Sequence, residues 1–148
     1  MSSAIAVEFW LPDPALRRYV SGYHRYVLQR DAGAEPFRDV FFPSWANIRF
    51  SLNAEPWSVA LDRRRFDPVP DSAFFGPSSH AGYVTAGSGT LVGLGLTPAG
   101  WAQLHGGDLS RLADRVVALE DVFPAWCAMH GRLASGERPA TVFDALLV

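Results

Sequence analysis

At Thr97-Pro98 the hydrophobic pattern of this chain changes period. Before that point, short apolar runs alternate with polar residues. After it, apolar residues recur at helical spacing. A chain built this way folds as a β unit followed by a helical one. The run just ahead of the change is TLVGLGL, residues 90–96, with Gly93 and Gly95 set between leucines. Glycines in a strand let another backbone or a bulky side chain come close. Thr97 is placed to cap the helix that follows, and Pro98 suits its first turn.

The β unit is a series of short runs. Residues 4–10, AIAVEFW, form the first, stopped by Pro12 and Pro14. Asp13 is placed to cap one helical turn in PALRRYV. Residues 20–29 alternate as a strand, and 31–38 are a polar loop. Further runs are VFF (40–42), NIRFSLN (47–53), WSVALD (57–62), AFFG (73–76), AGYVTA (81–86) and TLVGLGL. In NIRFSLN, Ile48, Phe50 and Leu52 share one face, and Asn47, Arg49, Ser51 and Asn53 the other. Gly-Ser-Gly at 87–89 reads as a hairpin loop between the last two runs. Closely spaced short strands with turn signals suggest a sandwich or small barrel.

Beyond Pro98, residues 98–105 fit a short helix. Leu119, Val122, Phe123, Trp126, Met129, His130 and Leu133 keep helical spacing, which predicts a helix over 120–134. Ser135-Gly136 breaks it. Residues 138–148 start another helix, with Val142, Phe143, Leu146 and Leu147 as its apolar stripe. Phe143, Leu146 and Leu147 are the candidate dimer or interdomain contacts. The chain ends in LLV with no cap or polar tail, which reads as a cut within a longer chain. The predicted class is therefore α+β, an antiparallel β-barrel or sandwich over 1–97 and helices over 98–148, together one domain.

Composition narrows the function. With 148 residues, 49% of them hydrophobic and 13% aromatic, the chain can fill a single core. A net charge of −2 and a pI near 6.0 count against direct nucleic-acid binding. All 13 basic residues are Arg, which excludes lysine chemistry. The lone Cys127 sits in an apolar run and points to a reducing, cytoplasmic compartment. The apolar runs are too short to span a membrane.

The residues that carry chemistry form no strong constellation. His24, His80, His105 and His130 belong to no metal-ligand spacing, so no metal or cofactor is expected. Ser78-Ser79-His80 suggests a nucleophile with its base, but neighbours on an extended chain point to opposite faces. Arg63-Arg64-Arg65 reads as a solvated loop offset by Asp62 and Asp67. The dense aromatics build the core, and some are candidates for a ligand cavity: Trp45, Trp57 and Tyr83, with Asn47, Arg49 and His80 as polar anchors. Arg49 stands out. A cation in an alternating strand faces solvent, or it meets an anionic ligand group or a buried acid.

The chain also resembles the N-terminal sensor region of AraC-type transcriptional regulators, in a subgroup whose N-terminal domain is uncharacterised. The residues that carry the likeness are PDPALRRYVSGY (12–23), Phe42-Pro43 ahead of the strand Ile48–Leu52, Phe75-Gly76-Pro77, and above all GLGLTPAGWAQLHG with LADRVVALEDVF. The resemblance implies a cupin-like β-barrel with helical appendages that binds a small-molecule effector, forms a homodimer, or both. It implies no catalytic residue here. DNA would be bound only by a helix-turn-helix domain beyond residue 148. Two other readings compete with it: a small cupin-like metal-dependent enzyme, and an interaction-only domain with no ligand.

Overall fold

The computed structural model describes residues 3–147 and is an α+β fold in three layers. The described residues form ten strands in two antiparallel sheets. Strands β1 (Ala4–Trp10), β2 (Val20–Gln29), β9 (Gly89–Leu96), β4 (Asn47–Leu52), β7 (Ser72–Phe75) and β10 (Val116–Ala118) make the larger sheet, in that spatial order. Strands β3 (Phe37–Phe41), β8 (Gly82–Ala86), β5 (Ser58–Leu61) and β6 (Arg64–Phe66) make the smaller one. Neither sheet closes on itself, so the architecture is an open sandwich.

Both faces of the larger sheet are covered except at its edge strand β1, which is exposed along most of its length. One face meets α1 (Pro98–Leu104), α2 (Met129–Ala134), α3 (Pro139–Leu147) and the 3₁₀ turns between them. Its core joins Ile48, Phe50, Leu52, Phe74, Val92 and Leu94 to Trp101, Met129, Leu133, Val142 and Phe143. The other face meets the smaller sheet through a second core of Trp57, Val59, Val84 and Leu91, with Ala73, Phe75 and Val116. The alternation read in NIRFSLN is therefore real, but its polar face turns inward. Arg49 and Ser51 are buried between the sheets.

The capping signals hold. Asp13 accepts from Ala15 N at 2.9 Å, opening the 3₁₀ turn Pro14–Leu16. Thr97 Oγ1 accepts from Gly100 N at 3.0 Å and donates to Arg18 O at 2.7 Å, so one side chain caps α1 and fastens it to the entry of β2.

Several local expectations fail for identifiable reasons. Gly-Ser-Gly at 87–89 is not a hairpin loop, because β8 and β9 lie in different sheets. It carries the chain across the sandwich, held by the Glu55 carboxylate, which accepts from Ser88 N and from Arg30 Nη2 (2.8 Å). Arg30 N in turn donates to Ser88 Oγ at 2.9 Å. Arg64–Phe66 is a strand, paired to β5 through a turn in which Asp62 has φ 57°. Arg65 still meets Asp67, at 3.2 Å. The helix expected over 120–134 is broken: Pro124 restricts Phe123 to φ −132°, ψ 71°, and only 129–134 is α-helical. Val116–Ala118 is a strand on β7, so the larger sheet draws on residues beyond 97.

Candidate functional site

Three neighbouring strands place two buried polar side chains in one row. Arg49 on β4 lies opposite Gly93 on β9, and Gly93 lies opposite His24 on β2. Residues directly opposite in an antiparallel ladder share a face, so all three point into the space between the sheets. Gly93 has no side chain, and the His24 ring occupies the vacant position. A Cβ there would lie 2.6 Å from His24 Nε2 and 2.4 Å from Ile48 O. The close approach expected at the glycines of TLVGLGL thus has a named occupant.

Arg49 and His24 line a cleft of about 840 Å³ at one end of the sandwich. Its walls come from β1 and β2 on one side and from the segment 40–47 on the other. Phe9, Phe42 and Trp45 rim the mouth and are largely exposed, Phe42 at 77%. Ser21, Ser44, Asn47 and Ser78 add hydroxyls and an amide. Asn47 Nδ2 is already used, donating to Trp45 O at 2.8 Å, which shapes the 44–47 turn.

Among the described residues, Arg49 is the one charged group on this surface, and no Asp or Glu lines the cleft. It is 9% exposed, and its Nε and Nη1 have no hydrogen-bond partner. The guanidinium carbon lies 3.8 Å from the Phe41 ring centre and 4.7 Å from that of Phe75. Cation–π contact of this kind offsets part of the lost hydration. Burial still lowers the Arg49 pKa to about 10, against a small opposing effect of Tyr26. His24 is 8% exposed and its Nε2 is also without a partner. Burial, with the Arg49 charge second, lowers its pKa to about 3, so the imidazole is neutral at physiological pH. Orphaned buried polar atoms are uncommon in folded proteins and call for an explanation.

The six residues expected at a ligand site separate into groups. Trp45, Asn47 and Arg49 come together at the cleft. Trp57 belongs to the inter-sheet core, where its Nε1 donates to Ser51 Oγ at 3.0 Å. Tyr83 is exposed on the outer face of β8, because Gly82, Val84 and Ala86 take the inward positions of that strand. His80 lies in the exposed bend 79–80 beside Asp114 (3.4 Å) and Asp62 (3.7 Å), away from the cleft. His24 was not expected there. The signal that would have found it is its place opposite Gly93, which requires knowing the strand pairing.

The bend also corrects the reading of Ser78-Ser79-His80. The backbone is not extended at this point, and Ser79 Oγ lies 3.1 Å from His80 Nδ1. Ser79 Oγ nevertheless donates to Asp114 Oδ2 at 2.7 Å, and Ser79 N to Asp114 Oδ1 at 2.8 Å. Asp114 therefore meets the hydroxyl and the imidazole from the same side. In a catalytic relay the imidazole stands between the two. The trio ties two loops together. Partial burial acts to raise the Asp114 pKa, but the hydrogen bonds from Ser79 and His80 prevail and hold it below the usual carboxylate range.

Of the three candidate contacts on α3, Phe143 is not available. Phe143 is fully buried against Tyr23 and Phe50, and Leu147 packs half-buried at the edge of the same core. The side chain of Leu146 lies outside the described residues. Among the described residues, no group of three or more His, Cys, Asp or Glu is placed to hold a metal ion, and no helix is long and apolar enough to cross a membrane. Comparison with protein families, with curated proteins and with solved structures returns no match.

Proposed function

We propose that this chain is a small-molecule sensing module, the effector-binding region of an AraC-type regulator. The single observation that carries the binding half of this reading is the cleft itself, a concave apolar surface with two buried, unpartnered polar groups converging on its floor. The regulator half rests on the resemblance in residues 12–23 and 92–123. An antiparallel β-sandwich with helices on its outer face is compatible with it, although the sheets do not close into the barrel that the resemblance implies. An effector bound there would act by its differential affinity for two arrangements of the whole regulator. Paired DNA-binding domains would then reach different half-sites.

The coding frame beyond Val148 tests the regulator half. Two successive helix-turn-helix units are expected there, and a stop codon would overturn it. Under the interaction-only reading both Trp45 and Trp57 would be enclosed with no cavity beside them. Trp57 is enclosed in the inter-sheet core, but Trp45 is exposed on the rim of the cleft, which favours the sensing module.

A further inference from the structure

The cleft's chemistry narrows what can occupy it. Among the described residues its only charge is the Arg49 guanidinium, buried with two nitrogens unpartnered and no lining carboxylate to neutralise it. A buried charge without a counterion is unfavourable unless something else supplies one. Next to it, across Gly93, stands His24 with a free Nε2. A guanidinium fork with an imidazole beside it matches the two oxygens of a carboxylate. Above both groups the surface turns aromatic, with Phe9, Tyr26, Phe42 and Trp45. Three of these rings are exposed at the mouth, as if awaiting an apolar body to cover them.

We propose that the cleft takes a small monocarboxylate with a flat, aromatic body, its carboxylate received by Arg49 and His24 and its body by Phe9, Phe42 and Trp45. This rests on reading the cleft as an effector site. With its proton on Nε2, neutral His24 donates to one carboxylate oxygen while Arg49 donates to the other. A phosphate dianion fits less well. One guanidinium would leave half its charge uncompensated among rings, and the chain has no lysine to add. Arg49 Nε and Nη1 and His24 Nε2 are all sealed from bulk solvent, so binding couples to rotamer changes that lift the guanidinium from Phe41 and turn the imidazole from Gly93 toward the cleft.

Calorimetric titration and thermal shift of this chain test the proposal, using indole-3-acetate and 1-naphthoate beside their neutral primary amides and inorganic phosphate. The acids are expected to bind with measurable heat and raise the melting temperature, the amides to bind roughly 10- to 100-fold more weakly, as befits loss of a charge-assisted pair, and phosphate not at all. Arg49→Met should abolish acid binding while raising the melting temperature, because it removes the unpaired charge. Arg49→Lys keeps the charge without the fork and should also weaken binding. The acid–amide comparison on the parent protein needs no variant, so misfolding of Arg49→Met leaves the test intact. Amides that bind as tightly as acids would overturn the carboxylate assignment and leave the sensing module standing. Phosphate binding in preference to the acids would overturn the ligand class. Silence from acids and amides alike at millimolar concentration would overturn the proposal, with the regulator reading still decided by the coding frame.

Discussion

Tyr23 Oη donates a 2.7 Å hydrogen bond to Asp144 Oδ1, 121 residues away in the chain. The same oxygen accepts from Asp13 N at 3.2 Å. One carboxylate on α3 thus holds both the second strand and the turn that leads into it. The Tyr23 ring packs on Phe143, with centroids 5.0 Å apart, so the polar and apolar contacts fix the same helix. Burial, followed by the bond to Asp144, raises the Tyr23 pKa well above its ordinary value.

Tyr23→Phe should destabilise the fold by about 2 kcal/mol, because a hydrogen bond to a charged acceptor is lost in a buried setting. Urea unfolding monitored by circular dichroism reads this directly. An unchanged midpoint would mean that Asp13 N and solvent satisfy Asp144 on their own.

Acid stability should report His24. Its imidazole stays neutral in the folded protein down to about pH 3, while the unfolded chain takes up that proton below about pH 6.5. In that window the unfolded state binds more protons, so stability falls with falling pH, by up to about 1.4 kcal/mol per pH unit. Above pH 6.5 the group contributes nothing. Melting curves between pH 7 and 5 should show a steeper loss for the parent than for His24→Asn. Parallel slopes would count against burial of a neutral imidazole.

Gly93→Ala should be strongly unfavourable for so small a change. The new methyl meets the Ile48 carbonyl at 2.4 Å and the His24 ring at 2.6 Å, and the carbonyl belongs to a paired strand. A loss of about 1–3 kcal/mol is expected, the range for overpacked interiors. Full stability in the alanine variant would show that His24 rests elsewhere.

Ser51→Ala removes the acceptor for Trp57 Nε1 in the inter-sheet core. The orphaned indole N–H should cost about 1–3 kcal/mol and shift the tryptophan emission. Tyr83→Ala is the counterpart with no expected effect on ligand binding, since that side chain faces outward. A binding defect in Tyr83→Ala would mean that the cleft is not the site.

The sequence made the strand series and the two flanking helices of 98–148 legible, because period-2 alternation and capping residues are local signals. Thr97 and Asp13 act as read. Pairing is not local. The run 81–86 followed by Gly-Ser-Gly and 90–96 has every mark of a hairpin, yet the two strands join opposite sheets. Val116–Ala118 is not legible as a strand, because three residues carry no period of their own. The site divides in the same way. Arg49 is visible as a cation in an alternating strand, whereas Tyr83 is marked only as an aromatic in the strand region and His80 only by nearness in sequence, and the pleat and a bend direct them elsewhere. His24 becomes visible only when its strand is laid beside Gly93.

The ties among Arg30, Glu55 and Ser88 have a mechanical consequence. They shut the sandwich at the end where the chain crosses between sheets, while the cleft occupies the other end. The two sheets should therefore move like the jaws of a peg, pivoting about the fastened end. Amide exchange should be faster around residues 42–46 than near 88–91, and a guest entering the mouth would alter the angle between the sheets more than the distance at their hinge.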